Sequence, residues 1–223
     1  MTEVQAAALA DLRVRVVELV AYVDPVVLDG PAAATPRWRV CDVLAHMVGV
    51  SEDVVHGRVE NIASDEWTAA QVDKRRAATL DELLAEWAEF GPRFELLLAG
   101  APELVAGQAV FDAATHEHDV RTAIGRPGAR DSDAMEVAWD WLVGVSAASG
   151  APGICFVTER GEEIVGIGAP EFVVHAPRFE IFRARTGRRT ETEIGRYGWE
   201  PAPDPARLVG KQLFTMRTES LGE

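Results

Sequence analysis

The sequence predicts an α+β protein: a helical bundle over residues 1–150 and a small α+β domain over residues 151–223, packed on the bundle and covering its open end. Three observations predict it. Before residue 150, stretches with apolar residues at helical spacing alternate with short or irregular connections, the pattern of an antiparallel bundle. After residue 150 the period changes, and β-branched and aromatic runs flank turn residues as in a hairpin. The second part, about 70 residues long, is marginal as an independent fold, so it is expected to pack against the first.

In chain order, Thr2 and Gln5 have capping-box spacing, and Ala8, Leu12, Val16, Leu19 and Val20 form the apolar stripe of a first helix ending near Asp24-Pro25. A Pro- and Ala-rich connection leads to a second helix from Val40, with Val43, Leu44, Met47, Val48, Val54 and Val55 on its buried side and His46 among them. Glu66 to Arg76 is polar and reads as irregular, with Trp67 as its anchor. Thr79 and Glu82 form a second capping box before a third helix, in which Leu83, Leu84, Trp87, Phe90, Phe94, Leu97 and Leu98 face inward and Gly91-Pro92 marks a kink.

The fourth helix contains Phe111 to Gly125, where Gly125 is a left-handed cap followed by Pro127. A further helix spans Ala134 to Ala148. Ile154 to Val157 and Ile164 to Ile167 then flank Glu159-Arg160-Gly161-Glu162 as a hairpin, and Phe172-Val173-Val174 reads as another strand. Arg178 to Thr186 reads as a helix with Phe179 and Phe182 inward, ending at Gly187. Trp199 to Phe214 has no assignable pattern.

Thirty-six acidic residues against 22 basic ones give a formal charge of −14, which argues against nucleic acid or an anionic membrane as partner. Arginines cluster locally at 178, 183, 185, 188, 189 and 196, with Arg160 upstream, either as a solvated face or as a place for a small anion. Cys41 and Cys155 are the only cysteines, so no disulfide framework is expected and a reducing, cytoplasmic setting is the simplest reading. Charged residues interrupt the N-terminal apolar run, unlike a signal peptide, and no apolar stretch has the length of a bilayer span.

Asp112 and His116 stand one helical turn apart on one face. With His46 they would supply two imidazoles and a carboxylate, a set suited to zinc and other first-row divalent metals with one position left open. Spacing leaves a second reading standing: a surface Asp/His pair and a satisfied core histidine. No HExxH signature is present. Asp119, three residues after His116, is placed either to orient its ring or to form a surface ion pair or helix-end bond. Cys41 reads as a small core residue, and Trp38, Trp67, Trp87, Trp139, Trp141 and Trp199 as core and inter-domain anchors.

Thr35-Pro36-x-Trp38-x-Val40-x-Asp42-Val43-Leu44-Ala45-His46, followed by His116-x-x-Asp119-Val120-Arg121-x-Ala123-x-Gly125, resembles the mycothiol-dependent maleylpyruvate isomerase family, one of the DinB-like metal-binding four-helix bundles. Gly187-Arg188-Arg189 and Trp199-x-Pro201 resemble its C-terminal domain, so the similarity spans nearly the whole chain. The resemblance implies a divalent metal, usually zinc, on His46, Asp112 and His116. Asp112 departs from the family, which typically has Glu there; His118 and Glu117 are the neighbouring substitutes.

The resemblance further implies mycothiol as thiol cosubstrate and a small electrophile or carboxylate as substrate. A metal-acidified thiolate adds to an activated double bond and leaves after rotation, a cis–trans isomerisation, or stays attached, a thiol transfer. Arg188 and Asp119 are the catalytic candidates, and Arg188 and Arg189 the cofactor-binding ones, since a guanidinium suits a carboxylate. An exposed arginine after a helix end is the other reading of Arg188. The alternatives are a non-catalytic metal- or small-ligand-binding protein of the same fold, and a purely structural bundle without metal.

Overall fold

In the computed structural model, which describes residues 2–209 and 214–223, helix α1 (Glu3–Val20) buries Ala8, Leu9, Leu12, Val16 and Val20 on one stripe. The expected capping box is absent: the Thr2 hydroxyl donates to the Ala99 carbonyl instead of capping its own helix. Asp24 caps the short α2 (Pro25–Leu28), accepting from Val26 N at 2.8 Å. Helix α3 (Val40–Val55) starts where the sequence places it, its Asp42 carboxylate accepting from the Arg39 backbone at 2.9 Å.

Residues 66–76 depart from the expectation of irregular chain. They lie mostly within helix α4 (Asp65–Lys74), capped by Ser64 Oγ accepting from Trp67 N at 3.1 Å. Only Gln71 and Val72 of α4 are buried, so no apolar stripe betrays it; charged groups hold it instead. Glu52 of α3 accepts from Lys74 at 2.5 Å and from Arg75 at 2.6 Å, and Arg75 reaches Glu86 at 2.5 Å.

Helix α5 (Leu80–Ala99) has the Thr79/Glu82 capping box and continues through Gly91-Pro92 without a break. Helix α6 (Glu103–Ala123) follows Pro102 and ends before Gly125, whose φ is +66°. Helices α1, α5, α3 and α6 close a ring, each touching the next and α6 touching α1, which makes the four-helix bundle. Between Ala113 and Val120 every residue of α6 is buried, so this helix carries its polar groups inward.

The chain divides into two compact units, 1–138 and 139–223, and the division falls within α7 (Asp133–Ala148). In the second, β1 (Pro152–Thr158) pairs antiparallel with β2 (Gly161–Val165) around the two-residue turn Glu159-Arg160. Ile167 does not extend β2: Gly166, at φ +103°, turns the chain, and Ile167 opens β3 (Ile167–His175), which runs parallel to β1. Helix α8 (Arg178–Arg185) buries Phe179 and Phe182; α9 (Glu191–Gly195) and β4 (Gly198–Glu200) follow, β4 antiparallel to β3. Among the described residues the sheet order is β2-β1-β3-β4. The end of the unassigned stretch 199–214 includes residues 210–213, outside the described residues.

Candidate metal centre

Helices α3 and α6 bring together the three residues singled out by spacing. His46, Asp112 and His116 each offer one ligand atom, and these atoms lie within 4.8 Å of one another. His46 Nε2 is 3.3 Å from Asp112 Oδ2, and His116 Nε2 is 3.7 Å from Asp112 Oδ1. Metal–ligand bonds of zinc length in a tetrahedron put neighbouring donor atoms about 3.4 Å apart, close to the two imidazole–carboxylate distances, which run to different oxygens of Asp112. The two imidazoles stand nearly perpendicular, 82° between planes, with centroids 4.9 Å apart.

Both histidines are buried, 3% and 8% exposed, whereas the Asp112 side chain is 42% exposed and gives the cluster an open side. Burial opposes a charge on His46, but the Asp112 carboxylate and the hydrogen bonds to Asp112 and Gln71 outweigh it, and the imidazole pKa is raised above its ordinary value. A dication at the same place would be attracted by the same carboxylate.

Each Nδ1 is taken by a neighbouring group. His116 Nδ1 is 3.1 Å from Asp119 Oδ2, and Asp119 is completely buried, so it is no surface ion pair. His46 Nδ1 is 2.8 Å from Gln71 Oε1 on α4. Gln71 has no signal in the apolar pattern, because its segment is polar; a Ser64 cap followed by Asp65 and Glu66 is the helix signal the sequence carries there.

Trp38 and Trp67 also differ from expectation. Their rings wall the centre: Trp38 lies 5.5 Å from His46 and 6.0 Å from His116, and Trp67 meets His46 edge-on at 6.5 Å. The loop carrying Trp38 is closed by the bridge between Pro31 and Arg39, and Arg39 is tied to Asp29 and Asp42 at 2.9 and 2.7 Å. A cleft of about 420 Å³ beside it is lined by Thr35, Pro36, Arg37, Trp38, Asp65, Thr68 and Ala69.

His118 and Glu117 do not join the cluster. Glu117 is engaged by Arg15 at 2.9 Å and Arg121 at 2.9 Å, and His118 is buried on another face of α6. Cys41 is half-buried, with its thiol pushed up to about 11, mainly by burial; burial likewise raises Cys155.

The arginine cluster of the second unit is solvated only at its ends, where Arg160 and Arg196 are exposed. Arg188 and Arg189 are 7% and 3% exposed, and Arg183 is fully buried. Arg189 donates to Glu180 at 2.7 Å and to Glu223 at 2.7 Å, Arg183 Nε donates to Glu223 at 3.0 Å, and Arg188 Nη1 donates to the Thr186 carbonyl at 2.6 Å. Arg185 donates to Ser146 Oγ at 2.7 Å, and burial pushes its pKa down to about 10.

Comparison with solved structures places the fold. The chain is similar to a crystal structure of a histidine-to-alanine mutant of the mycothiol-dependent maleylpyruvate isomerase, with a TM-score of 0.65 and 13% identity over 92% of this chain and 95% of that one. A second crystal structure of the mycothiol-dependent maleylpyruvate isomerase gives 0.61 and 14% over 84% and 90%. No family model and no curated protein sequence matches the chain. The resemblance read from the motifs therefore holds at the level of the fold, a helical bundle followed by a small α+β part. Among the described residues, no helix is long and apolar enough to cross a membrane.

Proposed function

We propose that the bundle holds one divalent cation, zinc by the character of its donors, on His46, Asp112 and His116, and that the protein is a mycothiol-dependent enzyme acting on a small electrophile of maleylpyruvate type, by cis–trans isomerisation or thiol transfer. The observation that carries the reading is the convergence of three ligand atoms within 4.8 Å, both imidazole Nδ1 atoms being taken up elsewhere. Three protein donors leave a position for an exogenous ligand, as catalytic zinc sites require. His46, Asp112 and His116 would hold the cation, which would supply Lewis acidity to a thiol at the open position.

The residues of the chain do the rest. His46 and His116 would bind the cation through Nε2, while Asp112 supplies the one negative charge on the exposed side of the cluster. Asp119, accepting from His116 Nδ1, is a positioning residue that fixes the orientation of the ring. Trp38 and Trp67 shield the imidazoles from water. The cleft at Trp38 has the size of a small-molecule site, its wall mostly apolar, with Thr35, Arg37, Asp65 and Thr68 to hydrogen-bond a cosubstrate. Cys41 and Cys155, both with raised thiol pKa, are poor nucleophiles at neutral pH, which supports a thiol brought by a cosubstrate.

Metal analysis and a paired assay test the reading. Purified protein is expected to carry about one equivalent of zinc or another divalent ion per chain, as a structural count from one cluster, and His46→Ala to lose it. Maleylpyruvate and a panel of electrophiles are then assayed with and without mycothiol. Wild-type protein that binds no divalent ion ends the metal reading, and turnover that persists without thiol ends the mycothiol reading.

A further inference from the structure

We propose that Gln71, locked by Asp53, is a positioning residue of the metal centre: it fixes the proton of His46 on Nδ1 and so leaves the Nε2 lone pair for the cation. The inference rests on the metal reading above and adds α4, a helix that contributes no ligand, to the machinery of the site.

The chemistry of the relay permits one arrangement. Asp53 Oδ2 stands 2.8 Å from the Gln71 amide nitrogen, and Asp53 Oδ1 accepts from Arg58 Nε at 2.7 Å. An ionised carboxylate is an acceptor only, so the group facing it must be the NH2 of Gln71. The amide oxygen then faces His46 Nδ1 at 2.8 Å, and an amide oxygen is also an acceptor only. Nδ1 must therefore donate, and Nε2 points to Asp112 and the cation position. Turning the amide over would set its oxygen against the Asp53 carboxylate, a repulsive contact, and would offer its NH2 to an unprotonated Nδ1; the Asp53 contact is therefore what selects the tautomer.

On the other ligand helix, Asp119 performs the equivalent task for His116 directly. His46 lies at the bundle wall under α4 and has no carboxylate three residues on, since position 49 is glycine. That glycine matters to the relay. A Cβ at Gly49 would come within 2.6 Å of Gln71 Cβ, so α4 lies on bare α3 backbone, which lets Gln71 reach the imidazole. Glu52, Lys74, Arg75 and Glu86 clamp the helix in that position.

The test uses the full-length protein with two readouts. Zinc affinity is measured by competition with a chromophoric chelator, and the His46 protonation site by imidazole nitrogen NMR on metal-free protein at alkaline pH. Wild type is expected to carry the His46 proton on Nδ1. Gln71→Leu is expected to lose that preference and to bind zinc about 10–100-fold more weakly. The double variant Gln71→Glu with Asp53→Asn keeps both hydrogen bonds with the charge moved one residue inward, and is expected to restore the Nδ1 proton and most of the affinity. If Gln71→Leu does not fold, Asp53→Ala, which frees the amide to turn, is expected to give a mixture of His46 tautomers. A wild-type proton on Nε2, or unchanged tautomer and affinity in Gln71→Leu, overturns the proposal. Wild type that binds no zinc defeats the metal reading instead, while the NMR readout still decides the relay.

Discussion

Gly49→Ala is the sharpest perturbation of the centre that touches no ligand. The added methyl would sit 2.6 Å and 2.7 Å from Cβ and Cγ of Gln71 and 2.9 Å from Arg75 Nη1. Carbon atoms in contact prefer about 3.5–4.0 Å, so α4 must withdraw by roughly 1 Å. The 2.8 Å bond from His46 Nδ1 to Gln71 then opens to about 3.8 Å, beyond hydrogen-bond range. Overpacking of this kind costs about 1–3 kcal/mol, against about 1 kcal/mol gained by replacing a helical glycine with alanine. Net stability of the metal-free protein is thus expected to fall by no more than about 2 kcal/mol. Zinc affinity is expected to fall about 10–100-fold, as when a ligand loses its supporting partner. Denaturant unfolding of metal-free protein and chelator competition measure the two quantities separately. Gly91→Ala is the control. Its methyl would meet the Arg13 side chain at 2.4–2.6 Å and disturb the Arg13–Glu95 pair, with zinc affinity unchanged. Wild-type zinc affinity in Gly49→Ala would refute the claim that the seating of α4 governs the ligand geometry.

Three further perturbations separate the site from its scaffold. Asp112→Ala removes the only charged ligand and is expected to abolish zinc retention through dialysis, whereas Asp112→Glu retains it; elemental analysis of both variants decides, and zinc retained by Asp112→Ala removes that residue from the ligand set. Although burial pushes the Glu52 carboxyl up, Lys74, Arg75 and Arg58 hold it at about 2, below its ordinary 4.5. Because the folded value is the lower one, its stabilisation is fully present above about pH 4.5 and is lost as pH falls toward 2. Glu52→Gln is expected to lower stability at pH 7 by on the order of 3 kcal/mol and to flatten its pH dependence between 5 and 2; equal slopes in the two proteins would contradict the assignment. Arg189→Met leaves Glu180 and Glu223 facing no guanidinium at that position and is expected to cost about 3–5 kcal/mol, lowering the melting temperature with zinc stoichiometry untouched.

The three proposed ligands are legible in the sequence because they obey a local rule or sit on a strong pattern. Asp112 and His116 share a face through i, i+4 spacing, and His46 rides on an apolar stripe that fixes the phase of its helix. The motifs around them carried the fold, despite 13–14% identity to the solved structures that share it. The same periodicity argument was silent on α4, where only Gln71 and Val72 are buried and the helix is held by ion pairs that depend on residues of other helices. With α4 unread, neither Gln71 nor the wall formed by Trp67 had a place. Arg188 and Arg189 are open to a surface reading because a guanidinium after a helix end is usually solvated; Arg189 is instead buried and paired with Glu180 and with Glu223, the latter 34 residues downstream, a pairing no local pattern announces.

This division follows from what each kind of residue must do. A ligand has to face a point, and a point is specified by helix phase, which periodicity reveals. A positioning residue has to meet a ligand's far side, so it belongs to whatever element packs there, and its position depends on tertiary contacts. Gly49 joins the two levels: in the sequence it is an unexplained helical glycine one residue before Val50, and in the fold it is the place where α4 touches α3 through Gln71 and Arg75. A helical glycine costs about 1 kcal/mol relative to alanine, so its presence opposite Gln71 marks a contact that a methyl group would displace. The proposed metal centre is accordingly larger than its triad. It takes in the bare backbone of α3 at Gly49, the charged clamp on α4, and the amide held between Asp53 and His46.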